Sequence, residues 1–291
     1  MKVERRALKM KRELSPTNKA MRKIMFTIVL IFAVSVVVFP LLWMAMSSLK
    51  PATELFKSPP SVFPKEPSLV WYKEAFQSSK VIQYFTNSFC VSLGTTLLVT
   101  FLAVFASYSL THFNYPGRKT ISILALASYC IPSIMLVVPI YRLVANMGVN
   151  NSLFGVIVGH STATFPFAVW LLNSFFREIP KGIEESAAVN GASDLQIFQK
   201  IVLPLTIPGI LSTAILVFIM SWNEYLFSSI LVSQDTLKTL TVGLAGYADS
   251  VEIRWGVIMA LSTATTIPII ILFSCVQKYF VEGLTAGSMK G

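Results

Sequence analysis

Of the 291 residues, 54% are hydrophobic and only 13% carry a charge, against about 25% in a soluble globular chain. Most of this chain has no water to face, which excludes an ordinary soluble enzyme or binding module. The net charge of +10 does not point to nucleic acid, because nine of the 24 Lys and Arg residues lie in the first 23 positions. A basic tail directly before an apolar run is an orientation signal for membrane insertion.

Crossing about 30 Å of hydrocarbon takes about 20 helical residues. Six stretches qualify: Ile24–Met46, Tyr84–Leu110, Ile121–Tyr141, Phe154–Phe176, Ile207–Leu231 and Trp255–Val276. None contains Lys or Arg, and Glu224 is the one acidic side chain within them. Pro40, Pro132, Pro139, Pro166 and Pro268 fall inside these runs, as spanning helices tolerate where neighbours satisfy the freed carbonyls. The first run exceeds the roughly 7–15 apolar residues of a signal-peptide core and reads as a retained anchor. The chain is thus expected to be an all-α, polytopic membrane protein with six transmembrane helices.

An even number of spans puts both termini on one side. The N-terminal tail, 1–23, places that side in the cytoplasm, with sixteen Lys and Arg residues facing it and eight facing out. Without the tail the counts are seven and eight, so the orientation rests on it. The transmembrane region then covers 24–280 and a short cytoplasmic tail covers 281–291. Cys90, Cys130 and Cys275 are far apart in apolar stretches and are expected to be buried, unpaired thiols.

Two connections are longer than turns. Outside, Lys50–Lys80 is rich in proline and aromatics (Pro59, Pro60, Pro64, Trp71, Tyr72 among them), and reads as a small folded cap. Inside, the segment 177–204 breaks into two short helices. The first runs over Lys181–Val189 and stops at Asn190-Gly191, a pair suited to the left-handed turn that ends a helix. The second starts at Ser193, which forms a capping box with Gln196. It places Leu195, Phe198, Ile201 and Val202 on one apolar face and ends at Pro204. Small residues (Ser186, Ala187, Ala188, Gly191, Ala192) keep the tip thin. Physics alone fits two readings: a hairpin that docks into another protein, or an amphipathic helix lying on the membrane.

The string itself resembles the "EAA" loop of binding-protein-dependent ABC importers, through Glu185-Ser186-Ala187, Gly191 and Ile201-x-Leu203-Pro204. Ser186 stands where that pattern has alanine and Asn190 where aspartate is usual. From Lys23 to Gly291 the chain is similar to the carbohydrate branch of the family, specifically the maltose-type second permease subunit. Phe113–Lys119, Ser221–Leu226 and Tyr279–Gly287 carry that likeness. The resemblance implies a type I ABC importer permease fold and a bacterial inner-membrane location. It implies as partners a homologous second permease, two ATPase subunits and an extracytoplasmic sugar-binding protein, with a carbohydrate substrate. It further implies that Glu184, Glu185, Ser186, Ala187, Asn190, Gly191, Ala192, Phe198, Leu203 and Pro204 form the ATPase-coupling loop. The external loop Ser233–Arg254 would meet the binding protein, and the C-terminal tail would approach the ATPases.

The chain has no phosphate-cradling G-x-x-x-x-G-K-[ST] loop, no H-E-x-x-H and no C-x-x-C. Catalytic residues, metal ligands and a bound cofactor are therefore not expected, and ATP and Mg would belong to the partner ATPases. Asn223, Glu224 and Tyr225 are candidates to line a pathway, since a carboxylate within a span is a functional candidate. As neighbours on a helix, Asn223 and Glu224 would point about 100° apart; Glu224 would then join helices and Asn223 would face the pathway. His160, in the fourth span, reads as a hydrogen-bonded packing residue or a pathway-lining one. An ion-coupled carrier would need charge relays within the spans, for which one carboxylate is thin support; a membrane scaffold would show no transport defect on deletion.

The orientation has a direct test. Single cysteines at Lys57 and Asp249 should react with an impermeant thiol reagent applied from outside, and those at Lys11, Ser193 and Ser288 should not. The opposite labelling pattern would invert the topology.

Overall fold

The computed structural model describes residues 16–248 and 254–288, and among them the secondary structure is helical throughout. The basic tail that sets the expected orientation lies largely outside the described residues. Among the described residues five helices are long and apolar enough to cross a membrane, and a sharply bent pair makes six if it is one span.

Helix α1 (Pro16–Ser48) supplies the first span. It is apolar on every side, with Phe26, Ile31 and Val37 all exposed, and its main neighbour is the last helix. A helix apolar all round and uncovered by its own chain suits a lipid or protein environment, not water. Beyond it, α2 (Ala52–Leu55) and α3 (Val70–Gln77) sit in the external cap. Lys50 is buried there, donating to the Ser61 carbonyl with its ammonium over the Trp43 ring. The Trp71 indole N–H returns a bond to the Lys50 carbonyl at 2.6 Å, and the Tyr72 and Ser48 hydroxyls meet at 2.8 Å.

The centre of the protein is α4 (Ser79–His112) packed along α7 (Leu153–Arg177), with α10 (Leu203–Trp222) against both. In lipid no hydrophobic force drives helices together, so their contacts rely on small residues and hydroxyls that allow close approach. Ser88, Ser92, Thr95 and Thr96 accordingly occupy the buried face of α4. Gly209 of α10 lies so close to α7 that a Cβ there would stand 2.4 Å from the Phe175 ring. Ser107 donates across the contact to the Val169 carbonyl at 3.1 Å. One apolar cluster, including Val99, Val169, Leu172, Phe176 and Val217, fills the inner half of this contact. A second, around Val91, Val144, Val156 and Phe227, fills the outer half.

Two expected spans are not continuous. The third divides into α5 (Arg118–Tyr129) and α6 (Ser133–Asn146), bent by 105° at residues 130–132. Pro132 has no N–H for the ladder and pushes the residue before it out of helical geometry. The fifth ends at Trp222, and after Asn223, Glu224 and Tyr225 a short α11 (Leu226–Leu231) resumes it. The cysteines also differ from expectation, since all three are exposed in the isolated chain.

The loop that follows α11 is pinned to α4. Asp235 accepts from Lys80 at 2.7 Å, Lys238 at 3.0 Å and Tyr84 at 2.9 Å. The Lys80 ammonium, with Lys238 and Tyr84, holds the Asp235 carboxyl well below the usual carboxylate range. Helix α12 (Leu240–Ala248) follows, and its first N–H bonds Ser88 Oγ at 2.7 Å. Residues 249–253 of that loop lie outside the described residues. The last helix, α13 (Trp255–Ser288), then crosses back. Tyr279–Gly287 fall on its end, with their side chains outside the described residues.

The tight α7–α10 contact predicts that Gly209→Ala will overpack it, at about 1–3 kcal/mol. Gly182→Ala, whose added Cβ meets open space, serves as control. The measurement is the unfolding temperature of the detergent-solubilised complex, and equal behaviour of the two variants would contradict the packing.

Candidate functional site: a helical hairpin and a helix break

The hairpin is set by local chemistry. Helix α8 spans Lys181–Val189, as its residues predict. It stops because Asn190 folds back on it, the Nδ2 donating to the Ser186 carbonyl at 2.8 Å. Gly191 then takes a φ of +83°, a left-handed conformation that side-chain-bearing residues adopt with strain. The Gly191 and Ala192 N–H groups return to the Ala188 and Ala187 carbonyls at 3.0 and 3.1 Å. Ser193 and Gln196 complete the capping box, and α9 (Asp194–Ile197) begins.

Pro204 does not end this helix. The chain passes through one π turn, Phe198–Val202, straight into α10. A proline cannot donate to the carbonyl four residues back and its ring crowds that carbonyl; a widened turn just before it accommodates both effects. The buried face is also shifted. Ile197, Phe198 and Val202 are buried, while Leu195 is 62% exposed.

Three contacts root the hairpin in the membrane core. Phe198 sits 4.6 Å, centroid to centroid, from Tyr108 of α4. Ala187 and Ala192 pack against the inner apolar cluster. Glu184 pairs with His112 at 2.9 Å, with the His112 ring stacked on Tyr108 at 4.4 Å. His112, at the end of α4, carried no role in the sequence reading, because nothing local to it announces Glu184. Facing away from the core are Glu185, Ser186 and Pro204, all exposed, with Leu203 half-buried. Ile183, Val189 and Leu195 add exposed apolar surface, Val189 being 89% exposed. Large apolar side chains at the tip of a polar hairpin mark a contact surface.

In the broken fifth span, Asn223, Glu224 and Tyr225 do not follow a helical wheel, because the helix has ended. Asn223 closes α10 by donating to the Ile219 carbonyl at 2.9 Å, and its side chain is exposed, as is that of Tyr225. Glu224 turns inward. Its Oε1 accepts the Phe227 N–H at 2.7 Å, and its Oε2 accepts the Ser228 N–H and hydroxyl, each at 3.1 Å. Nε2 of His160, on α7, completes the set at 2.8 Å from Oε2. His160 is itself fully buried, with Nδ1 2.7 Å from Ser221 Oγ. The carboxylate thus supplies the acceptors that the first turn of α11 lacks and ties the fifth span to the fourth. Among the described residues no group of three His, Cys, Asp or Glu side chains could hold a metal ion.

Five long apolar helices, one bent pair and this hairpin are together the frame of a polytopic membrane protein. Residues 99–285 match the family described as binding-protein-dependent transport system inner membrane component, and the chain belongs to that family. It is 34% identical to the inner membrane ABC transporter permease protein YcjP of Escherichia coli, over 94% of this chain and 99% of that one. It is 31% identical to the trehalose/maltose transport system permease protein MalG of Thermococcus litoralis, again over 94% and 99%. Among solved structures, a chain of a bacterial ABC transporter involved in import of the acidic polysaccharide alginate shares the fold. The TM-score there is 0.76 at 22% identity, covering 92% of this chain and 99% of that one.

The acceptor count at Glu224 generates a graded prediction. Glu224→Gln keeps one acceptor oxygen and leaves a buried donor unmatched, at about 1–3 kcal/mol; Glu224→Leu removes both oxygens and should cost more. The yield of assembled complex should fall from wild type to glutamine to leucine. Normal assembly with lost uptake in the glutamine variant would instead give the carboxylate a direct role in transport.

Proposed function

We propose that this chain is one of two membrane-spanning subunits of an ATP-driven importer for a carbohydrate delivered by an extracytoplasmic binding protein. A homologous second permease completes the translocation unit, and two ATPase subunits bind ATP and Mg and carry out hydrolysis. Both termini face the cytoplasm. Support for the carbohydrate comes from the trehalose/maltose and alginate systems to which the chain is similar.

One observation carries the mechanism: a hairpin rooted at its base in three spans and apolar at its outer face. It continues directly from α7 and, through the π turn, into α10. Through Glu184 and His112 it is also tied to α4. A rigid-body movement of an ATPase holding Val189, Leu195 and the tip would therefore displace the second, fourth and fifth spans together. In this reading Glu185, Ser186, Asn190 and Gly191 meet the ATPase surface. Ala187, Ala192, Phe198 and Leu203 hold the hairpin to its own domain, and Pro204 sets the π turn. Asn223 and Tyr225, exposed at the break, face the pathway or the second permease.

The test places a charge at the turn. Gly191→Asp should leave insertion and pairing with the second permease intact, while ATPase subunits no longer co-purify and uptake is lost. Normal ATPase retention and uptake in that variant would show that this hairpin does not couple the two.

A further inference from the structure

Backbone N–H and C=O groups outside a helix have no partner in hydrocarbon, so a span is interrupted only where protein or a water-filled cavity receives them. Here the helical path breaks at 130–132 and again at 223–225, and Cys130, Ile131 and Pro132 of the first break and Glu224 of the second border the same cavity of about 740 Å³. That volume falls within the roughly 300–1,000 Å³ typical of small-molecule sites.

Its wall has a definite chemistry. Tyr129, Ser133, Thr162 and Thr164 contribute hydroxyls, and Cys130 a thiol. Thr162 and Thr164 donate their protons to the Val158 and His160 carbonyls, each at 2.8 Å, which leaves their oxygen lone pairs as acceptors. A further donor comes from the start of α6 at Ser133, which lines the cavity and whose N–H, in the first turn, has no acceptor within the helix. Tyr129, 44% exposed, offers an aromatic face. Glu224 is the one ionisable carboxylate or base in the lining, and its oxygens are already taken by Phe227, Ser228 and His160. The cavity therefore offers donors, acceptors and an apolar face, with no free charge of either sign. A neutral, polyhydroxylated solute matches that set. The outer cavity differs, being lined by Lys80, Lys238, Arg254 and Asp235.

We propose that this cavity is a hydrated carbohydrate subsite contributed by this chain itself, where the third and fifth spans are both broken. It deepens the importer reading and rests on it. Transported sugar meets Thr162, Thr164 and Tyr129 here, and Glu224 shapes the site without binding the sugar directly.

Cys130 provides a native reporter. In the complete complex, reconstituted with its partners and carrying Cys90→Ala and Cys275→Ala, Cys130 is the single thiol of this chain. A charged methanethiosulfonate should modify it in the ATP-free or the vanadate-trapped state. Maltose or trehalose, added with the binding protein, should slow that reaction severalfold. Reaction with a lipid-soluble maleimide alone, in both states, would mean that the opening faces acyl chains and would overturn the proposal. Modification by the charged reagent at a rate indifferent to both sugars would overturn the subsite. Neither result depends on ATP-driven uptake, whose absence would count against the importer reading and leave the hydration of Cys130 as measured.

Discussion

Hydrocarbon offers nothing to an unpaired backbone group, and the organisation of this protein follows from how it meets that constraint. The fifth span shows the solution most clearly. Where α10 stops, the first N–H groups of α11 would be orphaned; Glu224 accepts two of them and His160 reaches across from α7 to the same carboxylate. A largely buried carboxylate needs compensating donors, and here a full set of them surrounds it. The break and the carboxylate explain each other, since the interruption supplies the donors and the carboxylate makes the interruption tolerable.

The hairpin answers a different demand. In the proposed coupling its constraint is mechanical: one face is fixed to the rest of the chain while the other stays available to a partner. The adjacent carboxylates Glu184 and Glu185 divide along that line. Glu184 is drawn into an ion pair with His112 and Glu185 is left exposed. Ile197 and Phe198 likewise turn into the apolar cluster, while Val189 and Leu195 remain uncovered.

Features governed by neighbouring residues were legible in the sequence. The bounds of α8, the Asn190-Gly191 turn and the Ser193–Gln196 capping box each depend on atoms a few positions apart, and each is found where the residues place it. The breaks were less legible, for two reasons. Pro132 interrupts its span, yet Pro40, Pro139, Pro166, Pro208 and Pro268 lie within continuous helices, so proline alone does not distinguish a break from a helix that tolerates it. The break at Asn223 has neither Pro nor Gly, and its cause lies partly on another span, in His160. The pairing of His112 with Glu184 was hidden for the same reason. Leu195 was assigned to the buried face because its spacing was right; Ile197 takes that place, which leaves Leu195 to the outer surface.

The frame around the breaks limits what can move. Helices α4, α7 and α10 touch through glycines, hydroxyls and close apolar contacts, and at Gly209 an added Cβ would meet the Phe175 ring at 2.4 Å. Packed interiors of this density shift between discrete arrangements more readily than they deform continuously. In the proposed coupling, displacement entering at the hairpin passes along α10, and the first place beyond it where the backbone leaves the helix is residues 223–225. Glu224, within that break, borders the same cavity as the bend at 130–132. In that reading the break lies where a rigid movement of the hairpin changes the shape of the cavity.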